Sequence, residues 1–387
     1  MYTSEEGHHA ADGEEAKNEM SHEAHHTPPR VVVVGTETAV FQEGSPVRER
    51  ILAYTKCLAS TDIIVMCGKK FEKEQVREHV ALYPTNSRTR FMRIFNAIRI
   101  GKKLPRADVV TAQDPFETGL AGFFIARALG ARLHVQIHTD FLSPHFARLS
   151  LVNRCRALLA RFVLSRADRV RVVSERIAQS LKTKNYTLKT NPTALPIFVD
   201  ISAIRAATPS PDLVNHFSKF KTRLLVVSRL EPEKNVTLAV SAFAKSAPKD
   251  ACLIIVGDGR EQTALKRQAQ NLGVMGRVFF EGKQDPAAYY ALADLVLVTS
   301  RYEGYGLVIV EALAAKKPVL STDVGIARQQ GAIVASSEKF ADALREWFAS
   351  GPREARLTSY PYPDFEAYVH AYCADIEAAA STKVAGS

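Results

Sequence analysis

ADLVLVTSRYEGYGLVIVEALAAKKPVLSTDVG, residues 293–325, is the stretch that decides how this chain is read. Its run LVLVT is short, continuous and rich in β-branched residues, as a strand buried on both faces must be. A turn punctuated by Gly304 and Gly306 follows and opens an apolar helix near Leu307, after which PVLSTD (318–323) supplies the next strand. In open α/β sheets, ligands bind beyond the carboxyl ends of the strands. The two glycines let backbone approach an anion closely, and a helix start offers unpaired N–H groups and partial positive charge. Glu303 stands before the turn and Glu311 eight residues on. Eight helical residues rise at most ~12 Å, so one carboxylate can meet a sugar's hydroxyls and the other a ribose, with a diphosphate between them.

Working outward, the same alternation fills the chain. From Arg30 the strand candidates are VVVVG (31–35), DIIVMCG (62–68), ADVVTAQ (107–113), ARLHVQIH (131–138) and RVRVVS (169–174), with helical stretches such as 46–59 and 118–130 between them. NPTALPIFVD (191–200) interrupts the rhythm as a candidate connection. A second series follows with RLLVVS (223–228), ACLIIVGDG (251–259), RVFFEG (277–282), LVLVTS (295–300) and PVLSTD. Parallel sheets covered on both faces are the expected outcome. The expected organisation is an acidic, His-rich disordered tail (1–29), a first doubly wound domain (30–200), a second doubly wound domain (201–364), and a final helix and tail (365–387) whose helix, near 365–380, crosses back over the first domain.

At 387 residues the chain exceeds one ordinary core. No apolar run approaches the ~20 residues of a membrane span, and TGLAGFFIARALG is interrupted by Arg127. No signal peptide opens the chain, so a cytoplasmic location is expected. The five cysteines (Cys57, Cys67, Cys155, Cys252, Cys373) are scattered without a CxxC pair. They are expected to be unpaired thiols rather than a disulfide framework or zinc site. The net charge of +10 is uneven, with −6 over residues 1–29, +14 over 30–200 and +2 over the rest. The basic excess of the first domain points to an anionic surface or substrate facing it. Five tail histidines (His8, His9, His22, His25, His26) lack the spacing to organise a metal site.

The run E-G-Y-G-L-x-x-x-E followed by A-L-A-A-x-x-P-V-L resembles the paired-glutamate signature of family 4 glycosyltransferases, which have the GT-B fold. That resemblance implies two Rossmann-like domains facing a cleft and sugar transfer from a UDP- or GDP-sugar to a hydroxyl with retention. It gives Glu303 to the donor sugar, Glu311 to the ribose, and the turn residues Gly304, Tyr305, Gly306 and Leu307 to the donor pocket. In LLVVSRLEPEKN it gives the diphosphate to Arg229 and Lys234. Fixed cations suit a leaving group that gains charge in the transition state. Together with the missing D-x-D motif, this implies catalysis without a metal or other cofactor. FFEGKQDP (279–286) resembles the loop beside the base, making Gly282, Lys283 and Gln284 donor-site candidates. IIVGDGR (254–260) carries Gln262 where a dinucleotide fingerprint needs a third glycine.

In the first domain, QIHTDF (136–141) ends a strand with His138, which the resemblance places near the donor sugar and its phosphate, and Asp140, a candidate on the acceptor side. A purely structural histidine is the alternative. Gly44 alone stands where the family shows paired glycines, with Arg48 and Arg50 as substitutes or as a solvated helix face. DVGIARQQG departs from the family in carrying a single Gly325 where the family has a Gly-Gly pair, and no glutamate after it. Basic amphipathic stretches at 87–103 and 145–166 either lie on an anionic membrane or simply cover a core. No nucleic-acid module is recognisable. Rival readings are a nucleotide-sugar 2-epimerase on the same fold and a non-catalytic sugar-nucleotide or membrane-binding module.

Overall fold

The computed structural model describes residues 27–68 and 70–382. The expectations for the acidic tail and its five histidines fall outside these residues. The first sheet contains β1 (Arg30–Gly35), β2 (Ser60–Val65), β3 (Glu74–Arg77), β4 (Val80–Pro84), β5 (Val109–Ala112), β6 (Arg132–Ile137), β7 (Arg169–Val172) and β8 (Thr193–Ala194). They lie in the order β3-β4-β2-β1-β5-β6-β7-β8. All pairs are parallel except β3 with β4. The second sheet contains β9 (Thr222–Val227), β10 (Ala251–Val256), β11 (Val278–Gly282), β12 (Leu295–Val298), β13 (Val319–Ser321) and β14 (Ile333–Val334). Its order is β11-β10-β9-β12-β13-β14, parallel throughout.

The central strands are short apolar runs because helices cover both their faces. Every residue of β5, β10 and β12 is buried. The antiparallel edge formed by β3 and β4 had no counterpart in the sequence reading, since EQVR is polar and VALYP ends in proline. Residues 145–166 hold two helices rather than one. Pro144–Leu149 ends at Ser150, whose hydroxyl accepts the Asn153 amide and so caps Leu151–Leu164. Within 191–200, β8 pairs with β7, so this segment extends the first sheet before leaving it.

The last helix, Phe365–Ala380, is packed on the first sheet. Asp364 caps it by accepting the Ala367 amide at 2.8 Å. Its buried face, Tyr368, Tyr372, Ile376 and Ala379, meets Val31, Leu58 and Val109. A fully buried side chain of Ile376's size contributes about 1.5–3 kcal/mol. Cys373 on this helix is joined by a disulfide to Cys57, with Cα atoms 6.2 Å apart. This corrects the expectation of five unpaired thiols. Cys67 and Cys252 are buried and Cys155 is exposed.

Candidate functional site

The two sheets present their carboxyl ends to one cleft. From the second sheet come Arg229 after β9, Gly257 after β10, Gly282 at the end of β11, and Glu303 after β12. A cavity of about 280 Å³ gathers His138, Arg229, Lys234, Glu303, Gly304, Tyr305, Gly306 and Leu307. The Lys234 ammonium donates to Glu303 Oε1 at 2.5 Å, and the Ser300 hydroxyl donates to the same oxygen at 2.7 Å. Both partners of the ion pair are less than one-fifth exposed. Arg229 is open to solvent and held by Glu233 at 3.0 Å. Each cation expected at a diphosphate therefore leans on a carboxylate one short rotation from the cavity.

Gly306, with φ of 98°, caps the helix Leu307–Ala314 in a conformation few side chains adopt. Gly304 has a different use. A Cβ there would lie 2.0 Å from the His138 carbonyl oxygen, so this glycine lets the second domain's loop touch the first domain's strand end. The Ser174 hydroxyl donates across the same seam to the Gly304 carbonyl at 2.8 Å. Tyr305 lines this cavity too, and is buried in the first domain's hydrophobic cluster together with Ile326. Arg176 closes the seam further by pairing with Asp323 at 2.7 Å.

Glu311 sits on Leu307–Ala314 outside that cavity lining. It accepts the Tyr290 hydroxyl at 2.6 Å, and burial raises its carboxyl pKa against the opposing effect of that bond. Tyr290 belongs to the helix Ala287–Leu292, which directly follows the loop bearing Gly282, Lys283 and Gln284. The Gly257 amide donates to the Gly282 carbonyl at 2.7 Å, so the loops after β10 and β11 touch.

Three first-domain candidates lie elsewhere. Gly44 has a φ of 69° and open space around it, and it precedes the cap of Pro46–Tyr54 rather than lining these cavities. Arg48 is nearly buried and forked onto Glu74 at 2.5 and 3.2 Å, a structural ion pair. Asp140 is buried, with Oδ1 lacking a hydrogen-bond partner and a pKa raised by desolvation. It does not line the cavity that holds Glu303. The glycine that does face the first-domain cleft is Gly35, which with Arg50 borders a second cavity of about 480 Å³.

His138 lines both cavities, and a third of about 600 Å³. Its Nε2 lies 3.0 Å from Gln136 Oε1. Arg171 Nη1 donates to that same atom at 3.4 Å, and an arginine can only donate, so the atom is the amide oxygen. His138 consequently carries its proton on Nε2 and keeps the Nδ1 lone pair free. Desolvation first, then the charges of Arg171 and Arg50, lower its pKa, so the ring is neutral at pH 7 even though solvent reaches it from the cleft. With the donor nitrogen engaged, the free nitrogen suits a sugar or acceptor hydroxyl better than a phosphate oxygen.

Behind His138 runs a buried chain that sequence reading did not find. Gln136 Nε2 donates to Thr111 Oγ1 at 3.0 Å, Thr111 Oγ1 meets His134 Nδ1 at 2.8 Å, and His134 Nε2 meets Asp375 Oδ2 at 3.0 Å. Arg169 donates to the other Asp375 oxygen at 2.6 Å. These partners stand up to 241 residues apart.

A family model described as "Glycosyl transferases group 1" matches residues 214–362, and one described as "Glycosyl transferase 4-like domain" matches 30–190. The chain belongs to the group 1, family 4 glycosyltransferases. Alpha-monoglucosyldiacylglycerol synthase of Streptococcus pneumoniae is 30% identical over 239 residues, 58% of this chain and 54% of that protein. N-acetyl-alpha-D-glucosaminyl L-malate synthase of Bacillus anthracis is 41% identical over 104 residues, 26% of this chain and 27% of that one. The matched stretches thus span about half of the first relative's length and a quarter of the second's. The Anabaena HepE structure in complex with UDP-glucose superposes with a TM-score of 0.64 at 17% identity, covering 90% of this chain and 94% of that one. The fold of this family 4 member is GT-B.

Proposed function

We propose that this protein transfers a sugar from a UDP- or GDP-sugar to a hydroxyl acceptor, with retention and without a metal. The observation that carries the reading is the Lys234–Glu303 pair, 2.5 Å apart at the carboxyl ends of β9 and β12, facing His138 across the cleft. Binding a donor would exchange that pair for two better ones. Lys234 and Arg229 would turn to the diphosphate, releasing Glu303 to accept hydrogen bonds from the sugar's hydroxyls. Fixed cations then stabilise the departing nucleoside diphosphate as its charge develops, the work a metal does elsewhere. Glu311, held by Tyr290, would take the ribose, with the Gly282–Lys283–Gln284 loop beside the base. Glu303 is the carboxylate among the residues lining the smaller cavity, and its role at the sugar's hydroxyls leaves departure and attack on one face, without a covalent intermediate, as the proposed course. Support also comes from the names of the relatives, which are glycosyl-transferring synthases, and from the fold neighbour in complex with UDP-glucose.

Thermal-shift binding of UDP, GDP and ADP without added metal tests the reading. One nucleoside diphosphate should stabilise the wild type and lose its effect in Glu311→Ala. Stabilisation by none of them would remove the donor site.

A peripheral membrane location belongs to the same proposal. Among the described residues no helix is long and apolar enough to cross a membrane. The adjacent helices Arg90–Gly101, Glu117–Leu129 and Leu151–Leu164 nevertheless expose Phe91 (77%), Phe95 (57%), Phe124 (41%), Leu151 (74%) and Leu158 (71%). Arg90, Arg99, Arg127 and Arg154 stand among them. Apolar side chains amid arginines suit an anionic bilayer surface. Co-sedimentation with phosphatidylglycerol vesicles but not phosphatidylcholine vesicles, reduced in Phe91→Ser/Leu151→Ser, is the expected result.

A further inference from the structure

The 480 Å³ cavity of the first domain contains a cation that its surroundings leave incompletely satisfied. Arg171 lies on β7, next to the edge strand β8 of the first sheet, and is 1% exposed. Its hydrogen-bond partners among the described residues are neutral: the Gln136 amide oxygen at 3.4 Å, the Leu195 carbonyl at 3.5 Å and the Tyr368 hydroxyl at 2.9 Å. Two of those three contacts are long, and Nε has no partner. The guanidinium also stands over the Tyr368 and Tyr372 rings at 5.8 and 5.3 Å, while Asp375, which acts on it through space, spends its oxygens on His134 and Arg169. Burying a charge without a hydrogen-bonded counter-charge is costly.

The cavity supplies the room. Arg171, Gln136, Tyr368 and Tyr372 line its inner wall, His138 stands where it opens toward the donor cleft, and Arg50 adds a second positive charge at the rim. Two carboxylates share the lining. Asp114 accepts the Phe116 amide at 2.7 Å, and burial raises its pKa, which favours its neutral form. Glu37 is exposed and caps a short turn by accepting the Ala39 amide. Neither is hydrogen-bonded to Arg171. Arg171 and His138 do meet on a single atom, the Gln136 amide oxygen. A group bound to the guanidinium is therefore a close neighbour of the His138 ring.

We propose that this cavity is the acceptor subsite and that Arg171 selects an acceptor carrying a carboxylate or phosphate close to the hydroxyl that receives the sugar. The inference rests on the glycosyl-transfer reading and deepens it. The anion completes the Arg171 fork, which fixes one end of the acceptor, and the neighbouring hydroxyl donates to the free Nδ1 of His138. A neutral hydroxyl compound of the same shape leaves the buried cation as it stands and binds worse.

The test uses the full chain with its donor site saturated by UDP, so that added anions cannot report on Arg229 and Lys234. Inorganic phosphate and malonate are then titrated in thermal-shift measurements, the two arms separating a phosphate preference from a carboxylate one. Either anion at ten times its Kd should raise the wild-type midpoint by about 2 °C. The shift should vanish in Arg171→Met while that variant's own response to UDP persists. If Arg171→Met does not fold, Arg171→Lys carries the test, because a point charge in place of the planar fork should weaken the anion about tenfold. Equal anion shifts in wild type and variant, or no anion shift in a wild type that binds UDP, would overturn the proposal. Failure of UDP itself to bind would count against the donor reading, while the wild-type and Arg171→Met comparison still decides the anion site.

Discussion

Replacing Gly304 with alanine tests whether the seam between the domains is as tight as its geometry implies. The added Cβ would sit 2.0 Å from the His138 carbonyl oxygen and 2.8 Å from its carbon, and neither atom belongs to a flexible side chain. To reach the 3.4 Å of ordinary contact the loop must retreat by roughly 1.4 Å. That retreat breaks the Ser174–Gly304 hydrogen bond, worth about 1 kcal/mol net, and overpacking of a rigid contact costs a further 1–3 kcal/mol, roughly. We expect a loss of about 2–4 kcal/mol and a midpoint lower by about 2–5 °C in differential scanning calorimetry. UDP should still stabilise the variant, because the clash is with the first domain's His138 carbonyl and not with Arg229, Lys234 or Glu311. Turnover should fall about 100-fold, since a displacement of this size between reacting groups costs that much. A Gly304→Ala protein with a wild-type midpoint and wild-type turnover would refute the reasoning.

Three other outcomes follow from single contacts. Glu311 has a raised pKa, and the Tyr290 hydroxyl favours its ionised form. UDP affinity should therefore fall as pH drops through the Glu311 pKa, and Tyr290→Phe should move that fall to higher pH in calorimetric titrations. Burial works against ionisation of Asp375, but bonds from His134 and Arg169 outweigh it and lower the pKa to about 2 from 3.8. Its contribution to stability is thus present above pH 4 and lost as pH falls toward 2. Asp375→Asn should lower the midpoint at pH 7 and flatten this acid limb in pH-dependent unfolding. Reducing the Cys57–Cys373 bond, or Cys373→Ser, should destabilise the protein by about 2–4 kcal/mol in urea unfolding, and a reductant should have no further effect on the serine variant.

The central strands were legible because they are short apolar runs rich in β-branched residues, whereas the β3–β4 edge, with its polar EQVR, was not. The final helix was read from the sequence near 365–380, where the structure has it, while its Asp364 cap became clear from the structure. Local motifs also brought Arg229, Lys234, Glu303 and Gly304 to one place, since all lie just past strand ends. What escaped depends on distance along the chain. The bond between Cys57 and Cys373 spans 316 residues, and nothing near either cysteine announces the other. Arg171 reads as one polar letter in RVRVVS, and Asp375 as a helix surface acid; burial and partners became apparent only once Phe365–Ala380 was laid across β6 and β7. Gly44 attracted the role of an expected glycine because it stands near the right place in sequence, whereas the cleft is bordered by Gly35.

The disulfide has a topological consequence. It joins Cys57 to Cys373 and so closes a covalent ring around all of the second sheet and the cleft. A protease that nicks any exposed loop inside the ring, such as the one before Pro211, leaves a single molecule whose halves stay tethered beside one another. The second domain behaves as a bead threaded on a closed loop, held at both its entrance and its exit. The domains can rock about that double attachment, but they cannot drift apart.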